Sequence, residues 1–234
     1  MPIRRTHAEH GDACRMAASL DAIGDQWSLV IVRELLLGPK RFSDLQAAAR
    51  GITPAVLTSR LRELQGHGVI APASGREPYR LTPWGERLED VVIALGRWYS
   101  SAPDPTTTGE MTPDGLVLAL RTMAPPVPDA GVATVEIIAH PAAEDRIPAR
   151  HAMITPGVER LEVLVVEGAD GGSDELPAAT TVLEGPATLL AGVLFGQVDR
   201  RSLPAGAVRV EGDHEGLDAV IGRYSAVMVH SEAS

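Results

Sequence analysis

The residues with chemistry to offer are few, and most stand apart. Near the start, His7, Glu9, His10, Asp12 and Cys14 are all side chains that can ligate a metal, but their spacing matches no metal-binding motif. Cys14 is the one cysteine in the 234 residues, so no intrachain disulfide can form, which fits a reducing compartment. Its neighbour Arg15 favours the thiolate, the nucleophilic and oxidisable form. The competing reading of Cys14 is a small apolar side chain in a helix packed at a dimer interface. His140, His151, His214 and His230 are scattered and read as surface or capping residues. There is no Gly-rich phosphate loop, no G-x-S-x-G elbow, no H-E-x-x-H and no pair of C-x-x-C motifs. An enzyme is not expected, nor are catalytic residues, a cofactor or a metal.

Chemistry of another kind is concentrated between Lys40 and Arg80, where seven Lys and Arg face three Asp and Glu. Arg41, Ser43, Thr53, Thr58, Ser59, Arg62, Arg76 and Arg80 all lie in this stretch. Guanidinium and hydroxyl groups of this sort suit phosphates and base edges. The net charge of -10 looks wrong for such a partner until the chain is divided at Ser100. Residues 1–100 carry 13 basic and 11 acidic side chains, and residues 101–234 carry 8 and 20. Positive potential is focused in the first half, and the acidic second half repels nucleic acid.

The elements that must position these residues follow from local signals. Thr53-Pro54 is a strong helix start, and Leu57, Leu61 and Leu64 then recur on one face. The opposite face carries Ala55, Val56, Ser59 and Arg62, small near the N-terminus and able to enter a major groove. A preceding helix starts with Ser43 as cap and breaks at Gly51. Val69-Ile70 and Tyr79-Arg80-Leu81 read as short strands around Ser74-Gly75-Arg76, a hairpin wing. Two ordinary surface helices and a turn fit the same periodicity.

Helices over 17–24 and 27–37 are expected to pack beneath this unit. Thr82-Pro83 opens a longer helix whose Leu88, Val91, Val92, Leu95, Trp98 and Tyr99 form one apolar stripe. Such a stripe is wide for a lone terminal helix and predicts a homodimer; packing on its own domain or the next is the alternative. Ser100 to Thr112 has a linker's Pro, Thr, Ser and Gly, so two domains are expected, 1–103 and 112–234.

Trp27, Gly38-Pro39, Arg41-Phe42, Leu45, Ile52, Leu57-Thr58, Arg60 to Leu64, Gly68, Tyr79, Leu81-Thr82 and Gly85 together resemble the signature of HxlR-type transcriptional regulators. The resemblance covers residues 12 to 100. It implies a dimeric winged helix-turn-helix that binds double-stranded operator DNA. Cys14 stands about where many of these proteins carry a cysteine, and in some of them that thiol senses electrophiles or oxidants. The wing, Ala73 to Pro78, is shorter than usual for the family.

After the linker only Phe195 and Tyr224 are aromatic. A helix is expected from Thr112-Pro113 through Leu116, Leu120 and Met123, with strands over 133–139, 161–167 and 207–211 and weaker ones over 150–155 and 180–183. Pro186 opens a helix, and a last helix places Leu217, Val220, Ile221, Tyr224 and Met228 on one face. The fold class is therefore two-domain α+β: a winged helix-turn-helix, then a mixed α+β domain with a largely antiparallel sheet. Gly185 to Leu189, Leu203 and Gly206 to Asp213 resemble the C-terminal part of sterol-carrier-protein-type domains. That resemblance implies an apolar cavity for a hydrophobic molecule, with Leu190, Leu194 and Phe195 as lining residues. The same aliphatic composition also describes an ordinary core.

Arg4-Arg5 has no apolar core behind it, and no apolar run approaches membrane-spanning length, so a soluble cytoplasmic protein is expected. The reading is a transcriptional regulator whose operator binding is modulated by a hydrophobic small molecule in the second domain. Alternatives are a thiol-based sensor using Cys14, and a hydrophobic-ligand carrier or docking protein.

Overall fold

In the computed structural model residues 6–71, 77–102, 108–126, 133–166 and 178–232 are described. The chain divides into two compact units, Met1–Val92 and Ile93–Ser234.

The first unit is built on α1 (Arg15–Ile23), α2 (Ser28–Leu35), α3 (Phe42–Ala48), α4 (Pro54–Gly66) and α5 (Pro83–Glu86); α6 (Leu88–Ser100) begins within it. Its core is one cluster in which Leu57, Leu61 and Leu64 of α4 meet Ile31, Val32 and Leu35 of α2 and Leu45 of α3. The i, i+4, i+7 spacing of the three leucines puts them on one face, and all three are buried. The Thr53 hydroxyl accepts the Val56 N–H at 3.3 Å, and Pro54 occupies the first turn, where its missing N–H has no intrahelical partner to lose.

The wing has a base of two isolated bridges, Lys40 with Tyr79 and Ile70 with Leu81. Lys40 and Tyr79 exchange N–H···O bonds of 3.0 and 2.8 Å, and Ala71 N–H donates to Arg80 at 2.9 Å. Residues 72–76, and with them Arg76, lie outside the described residues.

Two helix starts differ from expectation. α3 opens at Phe42, with Arg41 as the residue before it. The Asp44 carboxylate reaches back to the Arg41 N–H at 3.1 Å, so Asp44 performs the capping expected of Ser43, whose hydroxyl donates to Asp44 instead. Thr82 does cap a helix, accepting the Gly85 N–H at 3.0 Å, but that helix is α5, four residues long. The chain turns at Arg87 before α6.

The second unit holds α7 (Pro113–Thr122), β1 (Val135–His140), β2 (Arg150–Pro156), β3 (Leu161–Val165), β4 (Thr181–Pro186), α8 (Ala187–Leu194), β5 (Arg209–Gly212) and α9 (His214–Glu232). The sheet runs in the order β3-β2-β1-β4-β5. Its pairs are antiparallel except β1 with β4, which are parallel and register Val135 opposite Thr181. The largely antiparallel mixed α+β expectation therefore holds. β1 alternates buried and half-buried residues, as does β4 up to its exposed last residue Pro186, so one face of each, including Ile137 and Leu183, enters the core. Arg150 on β2 forms two hydrogen bonds, of 2.5 and 3.0 Å, with Asp114 in the first turn of α7. This bidentate pair fixes the start of α7 against the sheet.

Candidate nucleic-acid interface

α4 presents Ala55, Val56 and Arg62 as exposed residues on the side away from its leucines, and Thr53 is exposed at its start. Thr58 and Ser59 are half-buried, and their hydroxyl protons are already given away. Thr58 donates to the Pro54 carbonyl at 2.8 Å and Ser59 to Glu63 at 3.0 Å, which leaves both oxygens as acceptors. Free N–H groups and the helix dipole make the N-terminal turn of α4 favourable to anions.

The basic side chains of this region divide into two groups. Arg60 pairs with Glu63 at 2.5 Å and with Asp25 at 3.4 Å, and Lys40 lies 3.9 Å from the buried Glu34. These two serve the fold. Arg62 and Arg80 are exposed, and neither side chain forms a hydrogen bond or ion pair among the described residues. Arg41 and Ser43 are exposed at the start of α3.

Asp25 is the residue that sequence reasoning missed. Its carboxylate accepts the N–H groups of Trp27 and Ser28 at 2.8 and 3.1 Å, and the Ser28 hydroxyl as well. An acid just before a helical run was the available signal. Burial raises its pKa, but the Ser28 hydroxyl, the Trp27 N–H and the Arg60 charge outweigh that and hold the carboxyl below its ordinary value.

Cys14 is exposed and stands immediately before α1. The backbone N–H groups of Ala17 and then Met16 hold its thiol below the ordinary value, so the helix start, rather than Arg15, lowers it. His7 is engaged elsewhere, its ring nitrogen 2.7 Å from Asp21.

Of the stripe on α6, Leu88 and Val92 are half-buried against the winged-helix core. Val91, Leu95, Trp98 and Tyr99 are exposed, Trp98 to 71%. In the second unit Leu190 and Leu194 are fully buried and Phe195 is half-buried. The Phe195 ring meets Tyr224 edge-on, with centroids 6.0 Å apart. Tyr224 is fully buried, its hydroxyl has no hydrogen-bond partner among the described residues, and burial pushes its pKa up. No helix among the described residues is long and apolar enough to cross a membrane.

The profile of the HxlR-like helix-turn-helix matches residues 22–106. The chain is 30% identical over 98 residues to the uncharacterized HTH-type transcriptional regulator YybR of Bacillus subtilis (strain 168), covering 40% of this chain and 78% of that one. It is 34% identical over 92 residues to the uncharacterized HTH-type transcriptional regulator sll1512 of Synechocystis sp., covering 37% and 68%. Among solved structures, quinone-bound YodB from B. subtilis is 26% identical with a TM-score of 0.35, covering 38% of this chain and 98% of that one. Through residues 22–106 the chain belongs to the HxlR-like helix-turn-helix family, a family of DNA-binding transcriptional regulators rather than enzymes.

Proposed function

We propose that the chain is a homodimeric regulator that reads operator DNA with α4 and whose DNA affinity is set by a hydrophobic small molecule held in the second unit. The observation that carries the DNA reading is Arg62, exposed beside Ala55 and Val56 on the outward side of α4 with no protein partner among the described residues. A guanidinium left free beside small residues suits bidentate contact with a base edge or a phosphate. Arg41, Ser43, Thr53, Thr58 and Ser59 would complete the major-groove contacts, with Arg80 and Arg76 on the wing. Residues 1–103 serve DNA binding and dimerisation, and residues 112–234 hold the effector. The test is fluorescence anisotropy with duplex from upstream of the chain's own gene and a scrambled duplex at the same salt. A preference of about a thousandfold or more for the upstream duplex is expected. No preference would overturn the reading.

For the effector, the resemblance to sterol-carrier-protein-type domains is joined by Tyr224. A buried hydroxyl without a partner costs about 1–3 kcal/mol, a cost removed when a bound molecule brings a polar atom to it. Leu190, Leu194 and Phe195 would surround the apolar part. Tyr224→Phe is expected to leave stability equal or higher and to weaken capture of an apolar effector. A native mass spectrum of both proteins checks this; equal occupancy would remove Tyr224 from the site.

A second reading rests on Cys14, exposed and held toward the thiolate by two backbone N–H groups. If it is the sensor, Cys14→Ser abolishes the DNA-binding response to an electrophile, and a mutant that still responds excludes it.

A further inference from the structure

One concavity of the first unit is used by none of the functions above. It has a volume of about 460 Å³ and lies between α1, the segment that follows α4, and the α5–α6 turn. That volume is in the range of sites for small organic ligands.

The sequence explains why the space exists. Ala18 and Ala22 stand one helical turn apart on α1 and line the concavity with almost no side-chain volume. Opposite them, Gly85 lets α5 settle onto the segment that follows α4: a Cβ there would collide with the Val69 carbonyl oxygen. This close seating sets Trp84, 56% exposed, and Arg87 at the wall. Val69 and Leu88 add apolar surface, and Arg15 supplies a second guanidinium.

The charge pattern selects the ligand. Arg15 and Arg87 are both exposed, and neither side chain forms an ion pair or hydrogen bond among the described residues. Other arginines of this unit, Arg33 and Arg60, are paired with carboxylates. Two uncommitted guanidiniums beside an apolar, aromatic-walled cleft match a molecule with an apolar ring system and one carboxylate. An inorganic anion would leave the apolar surface uncovered, and a neutral hydrocarbon would leave both charges unused.

We infer that this cleft is a binding site for a small aromatic carboxylate. It also has a route to the DNA-reading helix. His67, which lines the cleft, is the residue at the end of α4, and Val69 immediately precedes Ile70, whose bridge to Leu81 lies at the base of the wing. A ligand seated there touches the junction of the two proposed DNA-contacting elements. The site is separate from the effector site proposed in the second unit, and its test does not depend on it.

The experiment is calorimetric titration of the full chain with naphthoate, and with neutral naphthamide as control. Naphthoate should bind at one site per chain, and naphthamide about tenfold or more weakly. Arg15→Gln with Arg87→Gln should weaken naphthoate by about tenfold, and Ala18→Leu, an exposed helix position that fills the cleft, should do at least as much. Unchanged affinity in both variants would place binding elsewhere and overturn the assignment. So would absence of naphthoate binding. If that absence comes with Ala18→Leu turning a dimer into a monomer by light scattering, the cleft is covered by a second copy of the chain.

Discussion

Asp25 and Arg60 tie the beginning of one helix to the middle of another. The Asp25 carboxylate caps α2 through Trp27 and Ser28 and lies 3.4 Å from the Arg60 guanidinium on α4, which also holds Glu63. The helix proposed to read DNA, α4, is thereby oriented by a charge outside it. The ionised form of Asp25 stabilises the native state because its folded pKa lies below its unfolded one. Its contribution is therefore complete above the ordinary carboxylate value and is lost as pH falls through the lower folded value.

Asp25→Ala should lower stability by about 1–2 kcal/mol near neutral pH, chiefly from the lost cap. Urea denaturation from neutral pH to below the ordinary carboxylate value should show wild type and variant converging only in that acid range, as the carboxylate protonates. A constant gap down to the acid limit would assign the loss to packing instead.

Arg60 and Arg62 sit two residues apart on one helix and should fail in opposite ways. Arg62→Ala should leave stability unchanged and weaken operator binding by about 1–3 kcal/mol. Arg60→Ala should lower the unfolding midpoint. Anisotropy and urea denaturation on both variants separate the roles, and an Arg62 variant that binds DNA normally removes this face of α4 from the interface.

The exposed part of α6 gives an assembly prediction. Large apolar side chains grouped on a helix mark an interaction surface. Leu95→Glu with Trp98→Glu should convert a dimer into a monomer in analytical ultracentrifugation and reduce operator affinity by at least about tenfold, since one half-site alone is then engaged. A double variant that sediments as wild type would move the dimer contact elsewhere.

Gly85→Ala tests the seating of α5. The added methyl has no room before the Val69 carbonyl, so backbone must shift, and a cost of about 1–3 kcal/mol or more is expected in a thermal or urea melt. A neutral substitution would mean that α5 can lift freely from the wing.

What could be read from the chain beforehand was what depends on near neighbours. The three leucines of α4 and the Thr-Pro starts at Thr53, Thr82 and Thr112 declare themselves within a few residues, and each threonine caps its helix. Ser43 misled because Ser and Asp side by side can both cap, and only the backbone decides that Asp44 does. The stripe from Leu88 to Tyr99 ran together two environments, since Leu88 and Val92 face a core assembled from distant segments. The structural role of Arg60 was not legible because its partner Asp25 lies far back in sequence. The strands over 150–155 and 180–183 gave weak signals yet occupy positions beside central β1, where pairing with distant residues fixes them.

The parallel pairing of β1 with β4 bears on the order in which the newly made chain acquires structure. Val135 can meet Thr181 only after β2 and β3 have been made, and β5 joins β4 only after α8 has passed. Contacts between such distant segments carry a loop-closure cost that must be met before they stabilise anything, which slows folding. The helices of the first unit follow one another directly, and domains fold from the N-terminus during synthesis. The surface proposed to read DNA is therefore expected to fold while the sheet is still incomplete, and a nascent chain stalled in the second half should already display a folded winged helix.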